Sequence, residues 1–294
     1  MYIGSAVALV TPFKDGEINF ETLKKLINFH IENKTDAIVV CGTTGESSTL
    51  TDEEKKELFK TTVNEVKGRV PLIAGTGKNI TKDSIELTKF AKSAGANCAL
   101  VVTPYYNKTT QSGLIEHFSI IADESDFPVI LYNVPSRTGL NTTPETVFEL
   151  SKNKNIIGIK EASGNISQIT EIARLCGDKI NIYSGNDDHI LPVLSVGGKG
   201  VISTVANIAP KETSELVHSF FDGNIEKSRE IQFRLIPLIN ALFIEVNPIP
   251  VKTAMRLLGW EVGELRRPLT EMNPENLKIL KRELKNFGFK VKEL

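Results

Sequence analysis

Of the groups in this chain that could do covalent chemistry at neutral pH, Lys160 has the most informative position. It directly follows the apolar run Ile156-Ile157-Gly158-Ile159. A lysine at the end of a buried strand is held partly out of water, and desolvation favours the neutral amine. A neutral amine can add to a carbonyl and form a Schiff base. Bringing an ammonium from about 10.4 to about 7–8 takes roughly three pKa units, or about 4 kcal/mol against the charged form. Arg137 is a candidate neighbouring cation that would supply part of this. From position alone, a lysine that reaches solvent or pairs with Glu161 or Asp187 is the more ordinary reading. Tyr132 closes the preceding apolar run, Val129–Leu131, where a phenol could shuttle protons or simply fill the core. Thr43 and Thr44 lie between Gly42 and Gly45. Hydroxyls and backbone N–H groups in such a turn can hold a carboxylate, or serve the turn alone. Arg137 sits in a long loop ahead of Pro144, where its planar fork suits a second carboxylate or faces solvent.

Something must bring these positions together. Short apolar, β-branched-rich runs recur at Ala6–Val10, Ala37–Val40, Leu72–Ala74, Ala99–Val102, Val129–Leu131, Ile156–Ile159, Ile180–Tyr183 and Gly200–Ile202. Segments of helical period separate them, such as Phe20–Ile31, Asp52–Val66 and Lys211–Phe221. Apolar runs alternating with amphipathic helices predict a parallel sheet. Eight units predict an α/β fold closed as a (β/α)8 TIM barrel, with an open doubly wound sheet as the competitor. Punctuation agrees: Thr51 and Glu54 have capping-box spacing, Thr143-Pro144 reads as N-cap and first helical residue, and Gly95 and Gly177 follow helical runs. The expected division is a catalytic barrel over residues 1–223 and a C-terminal helical extension over residues 224–294, whose last helix starts at Asn273-Pro274 and ends at Gly288. In a barrel of this kind the chemistry sits on the loops after the C-terminal strand ends. The Gly197-Gly198 pair precedes the eighth strand and reads as a helix stop at the opposite face, not as a phosphate site.

Composition narrows the function. The 294 residues are 40% hydrophobic and 24% charged, with a net charge of −1, so a nucleic-acid partner is not expected. Apolar runs are too short to span a bilayer, and no membrane partner is expected. The three cysteines are scattered, and Cys41 and Cys98 read as buried thiols. The N-terminal apolar stretch has no basic lead and reads as a first strand, so a reducing cytoplasm is expected. His30, His117, His189 and His218 show no metal-binding spacing, and no metal or other cofactor is expected.

Three motifs in order, Gly42-Thr43-Thr44-Gly45-Glu46, Tyr132-Asn133-Val134-Pro135-Ser136-Arg137-Thr138-Gly139 and Gly158-Ile159-Lys160-Glu161-Ala162-Ser163-Gly164, resemble the pyruvate-dependent class I aldolases. That family includes dihydrodipicolinate synthases and N-acetylneuraminate lyases, and the resemblance covers nearly the whole chain. It implies a carbon–carbon condensing lyase in which Lys160 forms the imine with pyruvate and Tyr132 gives and takes protons. It further implies that Thr43 links Tyr132 to Tyr106 of a neighbouring subunit. Thr44 and the Ile202 backbone would bind pyruvate, and the Gly185 carbonyl would organise the site. Arg137 would hold the carboxylate of L-aspartate 4-semialdehyde, and the Arg137-Thr138-Gly139 tract favours the synthase branch. The implied product is 4-hydroxy-tetrahydrodipicolinate, on the diaminopimelate route to lysine. A pyruvate-dependent sugar-acid aldolase, such as N-acetylneuraminate lyase, is the alternative. A shared Tyr106 requires at least a dimer, and the family implies a homotetramer, a dimer of dimers. Ser47, Ser48, Asn79, Asp83 and Tyr105 match a possible allosteric lysine site. Asp52 and Lys55 stand where inhibited relatives carry histidines, so lysine feedback is expected to be weak or absent.

Overall fold

The computed structural model describes residues 2–293, so Met1 and Leu294, the outer limits of the two expected parts, lie outside the described residues. Its strands are β1 (Gly4–Ala8), β2 (Phe13–Lys14), β3 (Glu17–Ile18), β4 (Ala37–Val40), β5 (Leu72–Gly75), β6 (Cys98–Val102), β7 (Val129–Asn133), β8 (Ile156–Glu161), β9 (Asn181–Ser184) and β10 (Gly200–Ser203). β1 and β4 to β10 form one closed parallel barrel in the order β1-β10-β9-β8-β7-β6-β5-β4. The chain is therefore the expected (β/α)8 barrel. Closure brings β1 against β10 at Gly4↔Gly200, where a Cβ on Gly200 would lie 1.9 Å from the Gly4 carbonyl oxygen. Only glycine permits that approach.

Around the barrel run α1 (Phe20–Glu32), α2 (Asp52–Val66), α3 (Thr81–Ala94), α4 (Gln111–Ser125), α5 (Pro135–Thr138), α6 (Pro144–Leu150), α7 (Ile166–Cys176), α8 (Ile190–Ser195) and α9 (Pro210–Phe221). The extension adds α10 (Ile225–Leu242), α11 (Ile249–Leu257) and α12 (Pro274–Phe287). The caps read from sequence are present, and Asn19, Thr110, Asn165 and Asn224 cap α1, α4, α7 and α10 besides. Thr51 and Glu54 form a reciprocal capping box, Thr143 caps α6 with Pro144 following, and Gly288 ends α12 in the left-handed conformation. Gly197, also left-handed, follows α8 and precedes β10 as expected.

Two features depart from the sequence reading. Phe13–Ile18 folds into a two-residue antiparallel ribbon, β2-β3, too short to carry a periodic signal. The stretch holding Arg137, expected as a loop, contains the single helical turn α5, which Gly139 ends at φ +63°. Pro135 at the first helical position, with its fixed φ, starts that turn.

Candidate active site

Strand alternation decides which side chains enter the barrel. β7 and β8 pair Tyr132 with Lys160 and Asn133 with Glu161. Successive strand residues face opposite ways. Tyr132 joins Ile130, Ala6, Val39 and Ile202 in the barrel interior, and its register partner Lys160 points the same way. Glu161 faces the surrounding helices.

Lys160 is 6% exposed and its Nζ lies 4.4 Å from the centre of the Tyr132 ring. Among the described residues it has neither an ion-pair nor a hydrogen-bond partner. Neither carboxylate that could have claimed it bonds to it: Glu161 is committed elsewhere, and Asp187 through one oxygen, its Oδ1 being buried without a hydrogen-bond partner among the described residues. Glu161 accepts from Asn133 Nδ2 at 3.0 Å, the Ser163 N–H at 2.7 Å and Gln168 Nε2 at 3.3 Å. Asp187 Oδ2 accepts from the N–H groups of Thr204 and Val205 at 3.1 and 2.8 Å. Burial pushes both carboxyls above the usual carboxylate range, while these hydrogen bonds, and for Asp187 the Lys160 charge, pull them back. On the floor of the barrel, Tyr183, the β9 register partner of Lys160, stacks on Tyr2 at 4.6 Å and donates its hydroxyl to the Tyr2 carbonyl at 2.8 Å.

The alkyl stem of Lys160 needs room. A Cβ on Gly185 would come within 3.2 Å of Lys160 Cε and 2.7 Å of Ala162 Cβ. Gly185 thus lets the lysine lie against the strand end. Its N–H is tied to the Glu161 carbonyl at 2.7 Å.

Lys160 opens into a cavity of about 300 Å³ that also meets Thr43, Thr44, Tyr132, Arg137, Gly185 and Asp187. Thr44 Oγ1 accepts from Asn247 Nδ2 at 2.9 Å and lies 3.3 Å from Thr204 Oγ1. The backbone N–H groups of Thr43 and Thr44 have no protein acceptor among the described residues, so the turn can receive a carboxylate. Arg137 Nη2 donates to the Asn247 carbonyl at 3.0 Å, which leaves most of its fork for an anion. A second cavity of about 270 Å³ shares Thr43, Tyr132, Arg137 and Asn247 with the first and extends to Ser47, Ser48, Lys55 and Tyr105.

The structure therefore gathers Lys160, Tyr132, Thr43, Thr44, Arg137 and Gly185 around one space. Ile202 is buried in β10 within the barrel interior. Tyr106 is not brought to this space by its own chain; it is 90% exposed. Thr43 makes no hydrogen bond to Tyr132 or Tyr106 among the described residues. Of the possible effector residues, Ser47, Ser48 and Tyr105 border the second cavity. Asn79 Oδ1 accepts from the Tyr105 N–H at 3.0 Å, and Asp83 pairs with Lys78 at 3.3 Å, as Asp52 does at 2.8 Å. His30 and His117 are buried in helices, and His218 bonds to Asp36.

Sequence reasoning missed Asn247, Thr204 and the pair Glu46–Lys252. A signal for the last was present: Lys252 stands alone in the run Ile249-Pro250-Val251-Lys252-Thr253-Ala254-Met255, and a lone charge in an apolar helix needs a partner.

The sequence profile described as the dihydrodipicolinate synthetase family matches residues 1–287. The chain belongs to this family. Among its relatives, a protein of Caldicellulosiruptor bescii named 4-hydroxy-tetrahydrodipicolinate synthase is 58% identical over 294 residues, covering 100% of this chain and 99% of the relative. A protein of Clostridium novyi with the same name is 54% identical, covering 98% of this chain and 97% of its own length. The crystal structure of dihydrodipicolinate synthase from Aquifex aeolicus superposes with a TM-score of 0.97 at 48% identity, covering 99% of this chain and 100% of that one. The synthase branch and the lyase class expected from the three motifs agree with these relatives, and the sugar-acid alternative is not favoured. No helix among the described residues is long and apolar enough to cross a membrane.

Proposed function

We propose that this chain condenses pyruvate with L-aspartate 4-semialdehyde to give 4-hydroxy-tetrahydrodipicolinate, through an imine on Lys160. The observation that carries the reading is the buried, unpaired Lys160 amine lying against Tyr132 in a cavity, within a full-length member of this synthase family. The amine adds to the ketone carbon of pyruvate and water leaves, so the nitrogen becomes a protonated imine. That nitrogen is an electron sink, and the methyl group loses a proton to give an enamine. The enamine carbon attacks the aldehyde of the second substrate. The amino group of that substrate then displaces Lys160 from the imine carbon, closing the ring and freeing the enzyme.

Tyr132 is assigned the proton transfers, because it lines both cavities beside Lys160 and its hydroxyl has no competing partner among the described residues. Thr43 extends that path towards Tyr106 of the partner subunit. The 90% exposure of Tyr106 supports this, since a hydroxyl so placed is free to enter a second copy. Thr44 and the unpaired turn N–H groups take the pyruvate carboxylate, with Gly185 and the Ile202 backbone completing that end. Arg137 takes the semialdehyde carboxylate. The assembly is a cytoplasmic homotetramer, built from a barrel of residues 1–223 and an extension of residues 224–294. Lys55 places an ammonium, not a histidine, in the second cavity. It repels a lysine effector, so feedback through Ser47, Ser48, Asn79, Asp83 and Tyr105 is weak or absent.

Two measurements test the reading. Borohydride reduction with pyruvate, followed by peptide mass analysis, should place the adduct on Lys160. A turnover assay should show condensation with aspartate semialdehyde and none of comparable rate with N-acetylneuraminate. Cleavage of the sugar acid alone would overturn the assignment.

A further inference from the structure

The turn that offers the carboxylate cradle is strained at both ends. Cys41 and Glu46, neither of them glycine, both have φ of +56°, in the left-handed region that side chains avoid. Such a conformation persists only where the surroundings over-determine it. Here part of the restraint comes from the barrel's own loops and part from the C-terminal helices.

Glu46 is fully buried, and both its carboxylate oxygens are used. Lys252 of α11 donates to Oε1 at 2.8 Å, the pair being 1% and 0% exposed, and the Arg266 N–H donates to Oε2 at 2.9 Å. Lys252 also donates to the Glu264 carbonyl at 2.7 Å and lies 4.4 Å from the centre of the Phe13 ring, with Arg266 at the same distance from that ring. The backbone is fixed as well. Thr11 Oγ1 donates to the Gly45 carbonyl at 2.7 Å, and Thr49 Oγ1 to the Glu46 carbonyl at 3.0 Å. The side chain of Glu46 is the one part of the turn that the extension grips by charge. Lys252 lies outside both cavities and touches no assigned substrate position.

We infer that Lys252 is a positioning residue for pyruvate: by holding Glu46 it keeps the strained turn in the form that presents Thr43 and Thr44 to the substrate carboxylate. The extension thus sets the affinity of a site to which Lys252 adds no atom. Arg137, assigned to the semialdehyde, bonds to Asn247, which also reaches Thr44, and neither Arg137 nor Asn247 bonds to Lys252 or Glu46 among the described residues. The loss on removing Lys252 therefore falls mainly on the pyruvate half of the reaction. This rests on the function proposed above.

The experiment is a steady-state comparison of full-length wild type with Lys252→Met, Lys252→Arg and the double variant Lys252→Met with Glu46→Gln. For Lys252→Met, kcat/KM for pyruvate should fall at least about tenfold more than kcat/KM for the semialdehyde, because ångström-scale misplacement of a binding group costs up to about a hundredfold. Lys252→Arg, which keeps the charge, should recover most of that difference. Should Lys252→Met fail to fold, the double variant leaves no buried charge uncompensated and must show the same preferential loss. A folded Lys252→Met or double variant with an unchanged ratio overturns the inference, and so does Lys252→Arg behaving like Lys252→Met. Wild type supplies the control. If it forms no reducible pyruvate adduct, the functional reading itself fails. If it forms one and the variants keep the wild-type ratio, only the positioning role is lost.

Discussion

Lys160 and Lys252 are both withdrawn from water, yet their surroundings are opposite. Around Lys252 a carboxylate and a carbonyl accept from the amine, and an aromatic face covers it. Burial lowers its pKa, but Glu46 pulls it back and occupies the nitrogen. Around Lys160 neither nearby carboxylate bonds to the amine, Glu161 and Asp187 Oδ2 accepting from backbone and amide groups, and the amine meets the ring of Tyr132 and a cavity. Burying a charge is tolerable when it is paired. Lys160 has no ion-pair or hydrogen-bond partner among the described residues, so its nitrogen is left unoccupied and open to the cavity. The first arrangement suits a structural lysine, and the second is the one the proposed nucleophile requires.

The largest effect that would sharpen this contrast is on rate. Lys160→Met should lower turnover on the order of 10⁴-fold or more, as loss of a covalent nucleophile does, and abolish the borohydride adduct. The adduct persisting on another lysine would break the comparison at its root.

Stability should order the two sites the other way. Lys252→Met leaves Glu46 buried without its counter-charge, and removing one partner of a buried pair costs about 3–5 kcal/mol. Lys160→Met breaks no hydrogen bond or ion pair and removes only the longer-range charge that steadies Asp187, so its stability loss should be clearly smaller than that of Lys252→Met. Urea midpoints of the two variants test this. Equal losses would mean that Lys160 carries a structural contact the geometry does not contain.

Next in size is the passage for the Lys160 stem. Gly185→Ala places a methyl 3.2 Å from Lys160 Cε and 2.7 Å from Ala162 Cβ. The amine must shift, and a displacement of this scale should slow imine formation by about a hundredfold. Stopped-flow or quench trapping with pyruvate would measure it. An unchanged rate would show that the stem has freedom to move aside.

How much of this contrast could be read beforehand depends on range. The barrel, its caps and the inward side of Lys160 follow from local patterns: apolar runs, helix punctuation and strand parity. Lys160 and the threonine turn lie at strand ends, where the fold itself marks function. Partners across long separations were not legible. Asn247 meets Thr44, and Lys252 meets Glu46 across 206 positions, and nothing near Glu46 announces its partner. Glu46 could be quoted within a motif without any role being visible for it. The α5 turn at Arg137 was also hidden, because four residues are too few for a helical period.

The smallest effect concerns buried bases far from the cavity. His30 and His117 are buried where the fold prefers the neutral form, with pKa values pushed by burial down to about 3 and about 4. Their unfolded value is near 6.5. As pH falls, the unfolded chain therefore takes up these protons first. Their contribution is fully present above about pH 6.5 and declines as pH drops towards the folded values. Between pH 6.5 and 5.5 each histidine should withdraw about 1 kcal/mol of stability. His117→Gln keeps a polar partner for Thr81, which lies 2.9 Å from Nδ1. It should remove about 1 kcal/mol of the acid loss over that interval when urea midpoints are compared with wild type. Because neither ring borders the cavity, the pyruvate adduct on folded enzyme should form equally well in both proteins at pH 7. A matching change in adduct formation would mean that the buried bases of helix and barrel are coupled, and the separation drawn between structural and reactive burial would no longer hold.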